Sequence, residues 1–338
     1  AGAAPPVDVT LDSVARLFQD SLGLSAWKVF GDNRWALRVN PSSGNLHPTE
    51  GYAVLPALAG LHDSPGIWHY APRDHALELR AELDPEDWAN LVRELPPGAF
   101  LVGFTSILWR ESWKYGERAL RYCHHDLGHA LAAVGLAANL LGWQTRLLED
   151  AGDPAIGGLL HVGDPSGPEA EHPDALLAVV PAAEPLARDR FRGWAVPELQ
   201  PREARGVPNV LSDEHQRWWA AEVALAASEK PGAGPPQAWE PTAAERTVPE
   251  RCYDAVPARR IVHQRRSAVA MDGRTGIQAE ALADILFQVL PVQGQVPFDA
   301  MPWRPRIHLG LLIHRVGGVE PGLYVLPRHP GSESSLRD

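Results

Sequence analysis

Residues 38–50 read Arg-Val-Asn-Pro-Ser-Ser-Gly-Asn-Leu-His-Pro-Thr-Glu. They stand directly before a short apolar run, 52–58, that reads as a strand. The stretch puts a cation, two hydroxyls, an amide and a glycine into one loop. Such a loop can present N–H groups and hydroxyls to a polar, planar ligand, with Arg38 available for a phosphate or carboxylate. The same residue types also build ordinary turns, so composition alone leaves both readings open.

Working outward, 9–22 carries Leu11, Val14, Ala15, Phe18 and Leu22 at helical spacing, with Thr10 or Asp12 near its start. The runs 52–58 and 67–70, divided by Pro65-Gly66, predict a hairpin-like pair of strands. Residues 85–95 suggest a short amphipathic helix, 100–107 a buried strand and 175–180 a closing strand. The strongest helical signal covers 117–141 and stops at Gly142, the residue type expected just past a helix end. Gly128 and Gly135 inside it each lower helix propensity by about 1 kcal/mol relative to alanine. With Ala132 and Ala138 they would let another backbone approach, so a buried central helix at an interface is expected.

The chain has 338 residues, 45% apolar and 22% charged. That length argues for two or three units, with enough apolar side chain to offset the ordering entropy. A formal charge of −11 disfavours nucleic acid as a partner, so any anionic ligand must be met by local arginines. Cys123 and Cys252 cannot supply a disulfide framework or a four-cysteine zinc site, and they fit a reducing compartment. The longest apolar run, 130–141, falls short of the ~20 residues that span a bilayer. The opening AGAAPPVDVT lacks the basic n-region of a signal peptide. The expected setting is the cytoplasm, without membrane attachment.

Many of the 32 prolines fall in 165–201 and 231–257, where long helices or central strands are excluded. This divides the chain into a first domain, 1–196, a Pro-rich connector with one short helix, 197–258, and a second domain, 259–338. The second domain repeats the order of the first, with a helix over 276–290 and a strand over 307–313. Then comes Pro321-Gly322-Leu323-Tyr324, matching Pro65-Gly66-Ile67-Trp68. A repeat of such long period indicates duplication, not a solenoid. The second copy is short, so it either continues in a longer polypeptide or is completed elsewhere.

Two further segments could carry chemistry. Trp113-Lys114-Tyr115-Gly116-Glu117-Arg118-Ala119-Leu120-Arg121-Tyr122 precedes Asp126-Leu127-Gly128-His129, and Arg265-Arg266-Ser267 stands before the second-domain helix. By spacing alone, Lys114 is also a solvated residue and Tyr115 a packing residue. His125 and His129 sit four apart, a zinc-capable spacing, but no H-E-x-x-H pattern or third ligand accompanies them, so no metal is expected. No G-x-G-x-x-G, P-loop or G-x-S-x-G occurs in a strand-turn-helix setting.

The P-S-S-x-N-x-x-P pattern of Pro41–Pro48 resembles the flavin-contacting loop of the nitroreductase-like FMN oxidoreductases. The fuller R-x-N-P-S-S-G-N-L-H-P-T-E-x-Y, with the W-K-Y-G-x-R and G-H runs, is similar to the branch holding the SagB-type azoline dehydrogenases. Arg265-Arg266-Ser267 is like the R-R-S motif with which family domains begin. The resemblance implies an α+β nitroreductase-like fold, duplicated as an intrachain pseudo-dimer with an incomplete second copy. It also implies FMN held at the join by Arg38, Pro41, Ser42, Ser43, Gly44 and Asn45 from one half and Arg265, Arg266 and Ser267 from the other. The corresponding second-half loop, near 297–305, reads PFDAMPWRP, so the complementary site looks degraded.

Leu148-Glu149-Asp150 resembles the family's E-G stretch near the flavin, with Asp150 in place of glycine; a helix end followed by an acidic turn fits it equally. Lys114 and Tyr115 match the pair that removes a proton in the azoline-oxidising branch. A base there needs a pKa lowered by desolvation and nearby cations, with Arg110, Arg118 and Arg121 as candidates. His129 is expected to be a buried hydrogen-bonding residue. The implied activity is hydride transfer between flavin and a small-molecule or peptide-derived heterocycle. An NAD(P)H-dependent nitro or quinone reductase is the alternative within the class, and a flavin-binding or non-catalytic scaffold of a biosynthetic complex the alternative outside it. A further homo-oligomer stays open.

Overall fold

Phe100, Val102 and Phe104 point to one side of their strand and Leu101 to the other, and all four are fully buried. Because side chains alternate along a strand, a segment apolar on both faces needs cover on both. The fold that supplies it is seen in a computed structural model describing residues 5–162, 167–182, 186–200, 202–232, 256–292 and 295–328. Cys252 lies outside the described residues.

In chain order the first half comprises α1 (Leu11–Gln19), β1 (Leu24–Phe30), β2 (Asn33–Arg38), β3 (Thr49–Leu55), β4 (Gly66–Ala71), β5 (Ala76–Glu82) and α2 (Pro85–Val92). It continues with β6 (Phe100–Ile107), α3 (Leu108–Tyr115), α4 (Ala119–Leu140), β7 (Gln144–Leu147), α5 (Asp153–Leu160) and β8 (Glu171–Val180). An antiparallel sheet of order β5-β4-β3-β6-β8-β7 forms its centre, and β1 and β2 make a separate hairpin. One face of the sheet packs on α1 and α4; the other packs on residues of α2 and α5 and on Phe191 and Trp194.

The termini of these helices follow from local chemistry. At α1, the Thr10 hydroxyl accepts from the Ser13 N–H and the Ser13 hydroxyl accepts from the Thr10 N–H. Such a reciprocal cap contributes about 1 kcal/mol. Helix α3 stops at Gly116, whose φ of +57° favours glycine. A Cβ there would lie 3.1 Å from the Trp218 ring. Helix α4 begins two residues later than expected, after a 3-10 turn at Gly116–Arg118, and ends before Gly142 at φ +72°.

The connector contains α6 (Trp219–Ala227) among its described residues. It is more than a tether: Ala221 shares a small core with Leu108, Ala119 and Cys123, and Trp218 and Leu225 pack against it. Beyond it come α7 (Ala258–Gln264), β9 (Ile277–Gln278), α8 (Ala279–Phe287), β10 (Leu309–Ile313), β11 (Val316–Gly317) and β12 (Gly322–Leu326). Arg265–Ser267 therefore directly follow a helix that sequence periodicity missed, and α8 begins only at Ala279. Strands β10 and β12 pair antiparallel, with Ile313 opposite Gly322, and β3 and β4 pair with Leu55 opposite Gly66. No helix among the described residues is long and apolar enough to cross a membrane.

Candidate active site

The loop leaving β2 is fastened at its start, before it reaches its polar residues. Val39 N–H donates to the Gly23 carbonyl and Asn40 N–H to the Ser21 carbonyl. Residues Ser43–Asn45 then form a 3-10 turn, and Gly44, Asn45 and His47 all have positive φ, at +60°, +62° and +51°. Left-handed backbone at two non-glycine residues so close together costs of order 1 kcal/mol each and persists only where surrounding contacts enforce it. Here they do. The Asn45 side-chain amide donates to the Ala36 carbonyl (2.9 Å), its carbonyl oxygen meets His47 Nε2 (3.1 Å), and the Ser42 hydroxyl accepts from the His47 N–H (2.8 Å).

Beneath the loop lies a buried charge network. The Glu50 carboxylate meets Arg110 and His69 (3.0 Å), and Arg110 also donates to the His47 carbonyl (2.8 Å). Burial alone would push Glu50 up, but the His69 hydrogen bond and the charges of Arg38 and Arg110 prevail and hold it at about 2. The His47 imidazole goes the other way, to about 3, through burial and the same two arginines. It is therefore neutral at physiological pH. Arg38 is half-buried and donates to the Thr49 carbonyl (3.1 Å); burial lowers its pKa against the attraction of Glu50.

Lys114 and Tyr115, from the end of α3, close over this loop. A Cβ placed on Gly44 would sit 2.8 Å from the Tyr115 hydroxyl and 3.0 Å from Lys114 Nζ. Tyr115 stacks on Tyr122 with ring centroids 4.1 Å apart, Tyr122 meets His125 edge-on at 5.9 Å, and Arg118 lies 6.0 Å from the Tyr122 ring. The loop is also fixed from α4: Asp126 accepts from the Ser43 N–H (2.9 and 3.1 Å) and from its hydroxyl (2.8 Å). Sequence reasoning quoted Asp126 within its motif but gave it no role. Its signal was there, since Cys123, Asp126 and Ala130 share the buried face of an otherwise apolar helix.

The second-half arginines approach from the other side of the β1–β2 hairpin. Arg259 and His263 of α7 bind the Asp20 carboxylate at the end of α1 (2.8 and 2.7 Å). Arg266 donates to the Ser25 carbonyl (3.3 Å), while the Ser25 hydroxyl donates to the Arg38 carbonyl (3.2 Å). Loop and R-R-S segment thus share one support, with Asn45 on β2 and Arg266 on β1. Arg265, Arg266 and Ser267 are exposed.

Three expectations need correcting. Lys114 is exposed, not desolvated, and Arg110 does not press on it, being engaged by Glu50 and the His47 carbonyl. The titratable group that faces it, one helical turn back, is Glu111. His129 is exposed, because α4 turns it away from the sheet, as it does His125; no cluster of three His, Cys, Asp or Glu suited to a metal occurs among the described residues. Glu149 does not join the loop: with Arg146 it lines a crevice closed by Asp299, Ala300 and Met301 of the second half.

No protein-family profile and no curated protein matches the chain. Among solved structures, a protein of Anabaena variabilis assigned as a nitroreductase superposes on 96% of this chain and 69% of its own, with a TM-score of 0.64 at 21% identity. The fold is nitroreductase-like. Two partial likenesses accompany it, each over 53% of this chain. One is to the Escherichia coli microcin synthetase McbBCD complex with truncated pro-MccB17 bound (18% identity, 66% of that chain, TM-score 0.39). The other is to a Ralstonia eutropha protein assigned as a nitroreductase (14% identity, 76% of that chain, TM-score 0.38).

Proposed function

We propose that the chain is an FMN-dependent oxidoreductase that passes a hydride between flavin and a small-molecule or peptide-derived heterocycle. The observation that carries this reading is the convergence at Gly44. A strained, donor-rich loop on a nitroreductase-like fold is overhung by a lysine and a tyrosine, within about one hydrogen-bond length of where a Cβ would be.

The residues fit such a cofactor. The Ser42 hydroxyl, the second N–H of the Asn45 amide and the remaining N–H groups of the Arg38 guanidinium make a donor wall suited to the polar edge of a ring. Exposed Arg266, with Arg265 and Ser267, is suited to an anionic phosphate. FMN when bound would supply the hydride chemistry itself. The chain's own work is to hold the loop through Asp126 and Asn45 and to keep His47 neutral. Lys114 and Tyr115 take or return the proton that accompanies hydride transfer. That pair favours a dehydrogenase of azoline-like substrates over an NAD(P)H-dependent reductase, which needs no protein base for hydride delivery.

The visible spectrum of the purified chain, before and after incubation with FMN, tests the reading. Flavin absorption is expected, and Ser43→Ala combined with Arg266→Ala should release it while the circular dichroism stays unchanged. Lys114→Ala should keep the colour and slow turnover by about 10²-fold or more, the range of a lost acid–base group. A chain that stays colourless after reconstitution points to the scaffold reading. Rapid anaerobic bleaching by NADPH points to the reductase.

A further inference from the structure

Glu111 stands out among the buried titratable groups as one the proposed chemistry leaves unused. It is 0% exposed, and neither carboxyl oxygen has a hydrogen-bond partner. An ionised carboxylate so placed is strongly disfavoured, and the group answers by keeping its proton. Burial pushes it up to about 8, aided by Asp126 and opposed by Lys114. A purely structural position gains nothing from an unpaired acid, which an apolar residue would replace without that cost.

Its surroundings say what it could serve. On α3, Lys114 and Tyr115 lie three and four residues beyond Glu111, the spacing that puts side chains on one helical face. From α4, Asp126 and Cys123 face the same group. Burial raises the Cys123 thiol well above its ordinary range, so it stays protonated, and the Tyr115 hydroxyl is raised by burial and then by Glu111. Asp126 receives the Ser43 N–H and hydroxyl, a carboxylate's environment; Glu111 receives nothing, an acid's environment. Of these two neighbouring carboxyls with such unequal surroundings, Glu111 is the one whose environment suits a bound proton.

We propose that Glu111 is the internal proton store of the site, exchanging a proton with Lys114 and Tyr115 in step with hydride transfer. This rests on the oxidoreductase reading and adds a residue that acts through the pair. In the oxidising direction, a substrate C–H bond breaks and its electron pair leaves with the hydrogen to the flavin. A proton from the adjacent N–H or C–H goes to the Lys114 amine. Above about pH 8, where Glu111 is ionised, the Lys114 ammonium passes it to the Glu111 carboxylate, leaving an amine at the exposed position and a neutral acid at the buried one. In the reducing direction the same proton returns.

The experiment compares the FMN-reconstituted full chain with Glu111→Gln, and with Glu111→Met in case an unpartnered amide prevents folding. Infrared difference spectra between parent and variant isolate Glu111 from Asp174, a second carboxyl raised by burial to about 7. The parent should show a protonated-carboxyl band at pH 7 that fades with a midpoint near 8. Because the folded value lies above the ordinary 4.5, parent stability should fall as pH rises from about 4.5 to about 8, and the variants should fall less, keeping only the part due to Asp174. Turnover is read with a synthetic thiazoline dipeptide. Its oxidation by the parent should rise through pH 8, whereas the variants should lack the inflection and run about tenfold slower above it. A parent without the band overturns the proposal while flavin binding stands. So does a band accompanied by an unchanged turnover profile, which marks Glu111 as structural. A chain with the band that takes up no flavin overturns the oxidoreductase reading, and the proposal with it.

Discussion

At Gly44 two constraints meet that a sequence shows only in part. The residue type was legible, since glycine is the ordinary choice at φ +60°, and so was the loop's donor-rich chemistry. The roof over it was not, because Lys114 and Tyr115 arrive from a helix some seventy positions later and nothing local reports that approach. Substituting Gly44→Ala separates the two constraints. The left-handed backbone should cost about 1–2 kcal/mol, measured as a shift in urea midpoint. The new methyl would push against the ends of two flexible side chains, which can yield, so the fold should survive. The Lys114–Tyr115 pair should be displaced, and turnover should suffer far more than stability. A variant with full activity and lowered stability would show that the pair does not work at this loop. The Lys114 environment was misjudged for a related reason. Arg110 stands one helical turn before the lysine, but its guanidinium is taken up by Glu50 and the His47 carbonyl, which leaves Glu111 as the titratable neighbour on that face.

Elements with strong periodicity were the legible ones: the strand at 100–107, the helix at 11–19, and the long helix whose end at Gly142 was anticipated. The β1–β2 hairpin was missed because its residues alternate weakly and it lies outside the main sheet with several side chains exposed. Helix α3 was missed because it lacks a side-chain cap and is ended by a glycine packed under Trp218, a contact from over a hundred residues away. In α4, the small-residue reading was half right. A Cβ on Gly135 would lie 3.0 Å from Val296, so the second half does approach there, whereas one on Gly128 meets nothing within 4 Å. Two alanine variants should therefore part ways. Gly128→Ala should stabilise by about 1 kcal/mol, the full helix-propensity gain. Gly135→Ala should gain little or lose, because Val296 must move. Thermal and urea unfolding of both variants decides it; equal gains would mean that Val296 does not press on α4.

Two stretches far apart in the chain share more than a four-residue motif. Each has a 3-10 turn, at Ser43–Asn45 and at Phe298–Ala300, before the first strand of a hairpin. In each hairpin a Pro-Gly pair opens the second strand so that glycine faces the last residue of the first. The loop of each half also lies near chemistry-bearing residues of the other. Arg266 shares the β1–β2 support with the first loop, and Glu149 faces the second across a narrow crevice. Were each of these loops to serve a flavin, as the proposed duplication implies, the two would be unequal. The first has serines, asparagine and Arg38, whereas the second has Phe298, Asp299 and Ala300, with an acid where an anionic ring edge would need donors. Glu149, grouped with the first loop by resemblance, belongs by position to the second. We therefore expect one flavin per chain, read from the ratio of flavin to protein absorbance after reconstitution. Arg266→Ala should weaken that binding by about ten- to a hundredfold, as loss of a charge-assisted hydrogen bond to phosphate does. Glu149→Ala should leave it unchanged. Two flavins per chain, or equal losses from both variants, would show that the halves do not divide the work in this way.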